Sequence, residues 1–555
     1  MGRITLWSTF IVMTACAAVS AAVPTIRITA HNNQMPTAAQ VNANHCVASN
    51  GTSGMNIFLT PYVAVTQVEV SGASNPAHNF TRTTSANTGA SMDSLRRRGN
   101  STATAGKIPF RIKFDKKVSM FGRPSAKSWT LLANYYDPTF MLNAIAFELG
   151  KRMELEYTPN LFFVNLYVNG NYQGLYQFTD QIQVGEASVN IDKDFDWLAE
   201  FDYHCPNSAA DRLRYFHTGN DGYNINVKIR SPELDELPLV NGLPDTSLVT
   251  YRAVKNDINT LINRMSASGF PENGYRDHIN LESFAKYVLI QLLMDNYDFN
   301  VKAEPGRLLG SNYTYKEYGK KIKAGPLWDF DLAAGVGNDM TFSHFNNYTD
   351  MIRPTHAFYL RLWEDPVFLA KYKKAWDASQ NHFSAMHSFI DSLSNLLSSS
   401  VEGFGGNVSN SGPCSGFEMM GMCMGTKGPL TQAIFNSEVA KLKTWWTNRV
   451  TYFGQQINNM NIDTSVDIPD DPVSAVTGAN FKSFKKMTAV RNGINLRVAQ
   501  NAFIKVFNLS GREVRSMRFK SGNHSVNLGG LPKGVYMVKA AVDGEKQVLR
   551  VSFSK

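Results

Sequence analysis

After its N-terminal segment the chain has no apolar run approaching the ~18 to 20 residues that a membrane-spanning helix needs, which excludes a transmembrane protein. Like charges are not blocked either. Lys and Arg outnumber Asp and Glu, 55 to 46, for a net charge of +9. Apart from Arg96-Arg97-Arg98 they are scattered, as solvated surface charge is, and no nucleic-acid partner is expected. The eleven histidines never take H-E-x-x-H spacing, and His204 beside Cys205 has no second ligand pair, so neither kind of zinc centre is expected. A G-x-S-x-G elbow and a G-x-x-x-x-G-K-[ST] phosphate loop are also missing, and no internal repeat is evident. What remains is ordinary globular composition, 43% hydrophobic and 18% charged over 555 residues. At ~100 to 200 residues per unit that makes two to four domains.

Cysteine is scarce too, five in all. The first, Cys16, sits in an export-type leader: Arg3, an apolar run over 4–19, then Ser20, Ala21 and Ala22 where a signal peptidase cuts. Residues 1–22 therefore read as a signal peptide, and the mature protein as secreted or surface-located. Met13-Thr14-Ala15-Cys16 faintly resembles a lipoprotein cleavage box as an alternative, with Met a poor first residue. Export leaves Cys46, Cys205, Cys414 and Cys423, which an oxidising compartment lets pair in three ways. Cys414 with Cys423 closes the shortest loop, leaving Cys46 with Cys205. The same loop carries Met419, Met420, Met422 and Met424, soft ligands for copper(I) in an alternative reading.

Composition shifts divide the mature chain. Residues 23–460 form the main body, of which 23–92 is strand-rich, with alternating runs such as TIRIT and TQVEV. Strands FRIKF and FFVNLYV then mix with a strong helix, FMLNAIAFELGKRM. Helical periodicity dominates 246–300 and 355–400 and returns in a last helix ending near 460. Residues 461–480 are acidic, proline-bearing and poor in core residues, as linkers are. From 481 to 555 strict alternation punctuated by SGRE, SGNH and VDGEK turns predicts a small all-β sandwich. The fold class is α+β.

Two acidic clusters carry the chemistry. Asn296-Tyr297-Asp298 follows an apolar helix, and Trp328-Asp329-Phe330-Asp331 lies thirty residues on. Together they suit a metal site that handles phosphates, because Mg²⁺ takes a few carboxylates plus substrate oxygens. As a strand, the second cluster would put Asp329 and Asp331 on one face and Trp328, Phe330 and Leu332 on the other. Inward carboxylates among packed apolar residues need a cation or hydrogen bonds; capping of the turn at Gly335, or an Asp331 that orients Arg353, are the structural alternatives. Upstream, Arg98, Ser101 and the backbone at Gly99 suit phosphate oxygens, or else form a plain turn. Along FRIKF, Phe110, Ile112 and Phe114 share one face, and Arg111 and Lys113 the other. Asn169-Gly170 marks a hairpin, and Lys228 and Arg230 share a strand face.

Six collinear blocks resemble the CotH family, named for a spore coat protein, whose members have an atypical protein-kinase-like fold. They are RRGNST at 97–102, the segment 109–149 from PFRIKF to AFEL, VNGNYQGLYQFTDQI at 168–182, LAEFDY at 198–203, VKIRSPE at 227–233 and GPLWDFDLAAG at 325–335. The tail resembles the C-terminal sorting domain of bacterial type IX secretion cargo, through IKVFNLSGREV at 504–514 and LPKGVYMVK at 531–539.

These resemblances imply an atypical bilobal kinase-like domain that uses ATP and Mg²⁺ or Mn²⁺ to phosphorylate Ser or Thr on an exported protein, followed by a domain read by the secretion machinery. In that frame Asp298 resembles the acceptor-activating base, and Asp329 the leading metal ligand, with Asp331 and Asn312 beside it. Arg98 and Ser101 face the nucleotide phosphates. Lys113, with Lys107 second, takes the place of the phosphate-pairing lysine, and Glu148 that of its helix partner. Asp180 stands where the family more often has Glu, a departure that weakens any role at the base. The alternative function is a non-catalytic surface protein on the same scaffold, used for adhesion, polysaccharide contact or assembly.

Overall fold

Alternating apolar and polar residues along Phe110–Val118 and its neighbours build the largest element, an eight-stranded sheet. Its order is Thr25–Ala30, Leu161–Val168, Asn171–Asp180, Ala126–Leu132, Phe110–Val118, Ser94–Arg97, Val63–Ser71 and Phe80–Thr83. Thr25–Ala30 pairs parallel to Leu161–Val168 and also antiparallel to Val63–Ser71, so the sheet closes on itself. A closed sheet hides its edges and fills its interior with every second side chain. Phe110, Ile112, Phe114, Trp129 and Phe178 pack into that core, which leaves Arg111 and Lys113 on the outer face. Asn169 (φ 52°) and Gly170 turn the expected hairpin between Leu161–Val168 and Asn171–Asp180.

The computed structural model describes residues 23–42, 56–84, 92–99, 101–202, 211–218, 223, 225–233, 237, 239–240, 243–244, 246, 249–299, 310–335, 344–401, 418–419, 422–423, 430–466, 484–490, 493–498, 502–508, 512–520, 522–528, 530–532, 534–542 and 545–553. The leader, Cys46, Cys205, Cys414, the side chain of Cys423 and the linker beyond 466 lie outside them, and so do the expectations placed there.

A second sheet has five strands in the order Tyr215–His217, Asn226–Ser231, Trp197–Phe201, Asn312–Lys316 and Lys323–Ala324. Around it pack seven described helices: α1 (Leu142–Arg152), α2 (Val249–Ser266), α3 (Leu281–Leu293), α4 (Ala357–Trp363), α5 (Pro366–Ala378), α6 (Gln380–Val401) and α7 (Gln432–Asn459). Side-chain oxygens start several of them. Asn280 accepts from the Ser283 amide at the head of α3, and Asp365 from Val367 ahead of Pro366 in α5. One apolar core joins the second sheet to α1 through α7. The fold is thus mixed α and β, and none of its described helices is long and apolar enough to cross a membrane.

The C-terminal region is all β. A three-stranded sheet (Phe484–Val490, Gly493–Val498, Gly522–Asn527) accompanies a four-stranded one (Glu513–Phe519, Ala502–Asn508, Gly534–Val542, Glu545–Phe553), and the two share a core of Ile494, Leu496, Ile504, Val506 and Val538. Phe503 leaves that core to meet Phe195 of the main body, edge to face at 5.6 Å.

Candidate active site

The segment after α3 shows why two acidic clusters far apart in sequence meet. The last turn of α3 leaves carbonyls without helical partners, and the buried guanidinium of Arg449 from α7 donates to two of them, Leu292 and Leu293. Asp295 then takes a left-handed conformation (φ 51°) that ends the helix. Its carboxylate is buried, with Arg449 as an opposing charge. Asn296 ties the next step. Its Nδ2 donates to Gln291 Oε1 at 2.8 Å and to the Asp329 carbonyl at 3.1 Å, while its Oδ1 accepts from the Asp298 amide at 3.3 Å. One asparagine therefore holds the backbones of both clusters.

The second cluster is not the strand its alternation predicts. Residues 325–330 run without regular hydrogen bonding and Asp329 is left-handed (φ 68°). Helix α1 holds the segment instead: Asn143 Oδ1 accepts from the Phe330 amide at 3.0 Å, and Phe147 stacks near Trp328. Gly150 permits the approach, since a Cβ there would stand 2.6 Å from Leu327 Cδ1. Asp329 and Asp331 still reach the same space, because the turn re-aims them.

That space is a cleft of about 310 Å³ between the closed sheet and the second sheet. Asp298, Asp329 and Asp331 form an acidic pole in it. Ser311 Oγ donates to Asp329 Oδ2 at 3.0 Å. Burial, then the Asp329 and Asp298 carboxylates, push the Asp331 carboxyl well above the usual carboxylate range, and Arg98 opposes them. Arg98 is brought there by Gly99, whose positive φ (86°) turns the chain out of Ser94–Arg97. Its guanidinium lies 5.3 Å from the Trp328 ring, where burial lowers its pKa and Asp329 pulls it back up.

A basic wall faces the pole. Arg111 lines it from the closed sheet, and Lys228 and Arg230 from Asn226–Ser231. The two on the second sheet are matched: Arg230 Nε sits 2.8 Å from Glu200, and Lys228 Nζ 3.4 Å from Asp202. Burial pushes the Glu200 carboxyl up against the pull of Arg230, while Glu200 drives Arg230 well above its usual value. Arg230 also donates to Tyr313 Oη at 3.0 Å.

The cleft gathers Arg98, Asp298, Asp329 and Asp331 among the residues expected from sequence. Others stand apart from it. Lys113 is exposed on the outer sheet face; Arg111, two positions earlier on that face, lines the cleft instead. Lys107 is buried, donating to the Leu175 carbonyl at 2.6 Å between the Phe140 and Tyr176 rings, and burial lowers its pKa to about 7. Glu148 pairs with Arg152 at 2.7 Å within α1. Asn312 is buried, accepting from Tyr287 and Tyr359 and donating to Gly310. Ser101 opens the turn Ser101–Thr104, and its side chain lies outside the described residues. Asp180 binds Arg123 at 3.3 Å. Arg111, Glu200 and Asp202 carried no expected role. For Glu200 a signal was present in the strand pairing of LAEFDY with VKIRSPE, which puts it opposite Lys228.

Residues 490–552 match the family described as secretion system C-terminal sorting domain, which indicates export to the cell surface or the medium. No curated protein matches the chain. Residues 95–453, well over half of it, match the family described as CotH kinase protein. That span contains the Gly99 turn, Arg111, the paired charges of the second sheet and both acidic clusters. With its model matched over that span, the chain belongs to the CotH kinase protein family.

Proposed function

We propose that this exported protein is a kinase that moves the terminal phosphoryl group of ATP to a Ser or Thr hydroxyl of another exported or surface protein. One observation carries the reading: a single cleft joins a lone carboxylate on the α3 side, Asp298, to a carboxylate pair, Asp329 and Asp331, and to the buried cation Arg98. Phosphoryl transfer asks for little more than this, namely positioning, positive charge against the phosphates and a carboxylate for the acceptor proton. In the reaction the bond from the γ-phosphorus to its bridging oxygen breaks, and the acceptor oxygen bonds to phosphorus. The hydroxyl proton passes to the Asp298 carboxylate. Arg98 stabilises charge on the phosphate oxygens, stiffened by the Trp328 face beneath it. The closed sheet and the helix-packed second sheet are then the two lobes.

Mg²⁺ or Mn²⁺ fits the acidic pole. Burial and the Asp329 and Asp298 carboxylates raise the proton affinity of Asp331, a conflict that a divalent cation relieves. Asp329 and Asp331 would hold it, and when bound it neutralises phosphate charge. Among the described residues no group of three or more His, Cys, Asp or Glu forms a complete metal cage. Mg²⁺ does not ask for one, because it is bound by one or two carboxylates with substrate phosphates supplying the rest.

A second reading rests on a specific observation. The lysine and helix glutamate of a kinase site are not joined: Lys113, Lys107 and Glu148 all have places outside the cleft. A surface binding or assembly protein that uses this basic cleft for anionic polymers would need no such pair. Incubation of the mature protein with labelled ATP and Mg²⁺ separates the two. Transfer lost in both Asp298→Asn and Asp329→Asn supports the kinase. A wild type that melts at the same temperature with and without Mg·ATP overturns it.

A further inference from the structure

The basic wall holds more positive charge than its carboxylates match, and the surplus lies at one place. Glu200 and Asp202 are committed to Arg230 and Lys228, and Arg98 answers to Asp329 and Asp331. Arg96 and Arg111 remain. They are directly opposite each other in the pairing of Ser94–Arg97 with Phe110–Val118, on its outer face, and both line the cleft. Neither makes an ion pair with a described residue. Arg96 Nη1 donates to Thr60 Oγ1 at 2.9 Å and its guanidinium lies 5.2 Å from the Tyr62 ring; Arg111 Nη2 donates to Ser128 Oγ at 3.0 Å. The Nε of each is buried without a hydrogen-bond partner.

Two adjacent guanidinium groups repel, and a buried donor left unmet has lost its water without gaining a partner. An oxyanion cures both faults at once, since its oxygens accept from two arginine forks and its charge cancels theirs. The groups that hold the pair, Thr60 and Tyr62 for Arg96 and Ser128 for Arg111, are not those of the acidic pole, although the Arg96 charge also reaches Arg98. We infer that Arg96 and Arg111 form an oxyanion subsite of phosphate class, distinct from the nucleotide's place, that receives an anionic group carried by the acceptor. The acceptor half of this assignment rests on the kinase reading above and narrows it: the favoured substrate is phosphorylated or acidic close to the reacting hydroxyl.

Calorimetric titration of the full mature chain tests it with two probes, inorganic phosphate and Mg·ATP, at fixed ionic strength. We expect phosphate to bind the wild type and to weaken about tenfold or more in Arg96→Gln and in Arg111→Gln, with Mg·ATP affinity changed less than about twofold. Arg111→Lys, which keeps the charge and loses the fork, should show an intermediate loss and serves if the Gln variant fails to fold. Transfer to a phosphopeptide should exceed transfer to its unphosphorylated twin, and the excess should vanish in the variants. No phosphate binding by the wild type overturns the subsite. So does a parallel loss of Mg·ATP binding, which would return both arginines to the nucleotide. Phosphate binding that needs both arginines in a protein that never binds Mg·ATP keeps the subsite and overturns the kinase reading with its acceptor assignment.

Discussion

The cleft has two acidic groups, and they are built on opposite terms. On the second sheet each buried carboxylate has its own cation, Glu200 with Arg230 and Asp202 with Lys228. At the pole, Asp298, Asp329 and Asp331 share one space, and burial together with the Asp329 and Asp298 charges raises the pKa of Asp331. The first arrangement is complete without a ligand. The second is not, because Arg98 and the Ser311 hydroxyl oppose only part of three like charges. Residue type alone does not distinguish a structural aspartate from a working one; the distinction is whether the fold supplies the counter-charge.

The largest effect should come from the pole. Asp298→Asn and Asp329→Asn should each lower phosphoryl transfer by about 10²-fold or more, read with labelled ATP, without lowering the melting temperature, because each removes repulsion. The matched pair should behave in the opposite way. Glu200→Gln leaves Arg230 buried and uncompensated, and should cost about 3 kcal/mol in urea unfolding. If Glu200→Gln proves harmless to stability, the contrast drawn here fails.

Acid sharpens the contrast, once an unrelated group is separated from it. His356 caps α4 by accepting from the Phe358 amide at 3.2 Å, and burial lowers its pKa to about 4. Its neutral form is the one that folds. The unfolded chain takes up the proton first, so stability should fall as pH drops from about 6.5 to about 4, by about 2 to 3 kcal/mol. Asp331 has the reverse sign, since its raised pKa makes the folded state bind the proton more tightly, and stability is lost as pH rises. His356→Asn keeps the cap, removes the opposing slope and should expose the pole's own gain in acid, measured as unfolding free energy against pH. The smallest effect belongs to Asp331→Asn at neutral pH. Replacing a carboxyl already inclined to hold its proton should change stability by no more than about 0.5 kcal/mol.

Much of this was legible in the chain. Alternation in FRIKF separated Phe110, Ile112 and Phe114 from the cation-bearing face, Asn169-Gly170 made its hairpin, and the all-β tail followed from strict alternation with turn residues. Both acidic clusters were visible as clusters. The geometry of the second was not, because period-2 alternation in WDFDL mimics a strand while Asn143 and the close approach of Leu327 to Gly150 in α1 hold it as an irregular turn. Lysine was the expected cation on FRIKF, and Arg111 stands in the cleft: both side chains share a face, and only the neighbouring sheet decides which end of that face is covered. The strand-rich start also joined the main sheet, through pairing of Thr25–Ala30 with Leu161–Val168 over a long sequence separation that local pattern does not record.

By itself, then, the sequence determined the family, the strand and helix content of most segments, and the identity of Asp298, Asp329 and Arg98 as residues to watch, because these depend on residue type and short-range period. Tertiary structure alone decided which charges are answered. Asn296 bridging two backbones, Arg449 closing the end of α3, and Glu200 opposite Arg230 are contacts between distant segments. Whether a buried charge is a strut or a site depends on the counter-charge within a few ångströms, and only the folded chain puts it there.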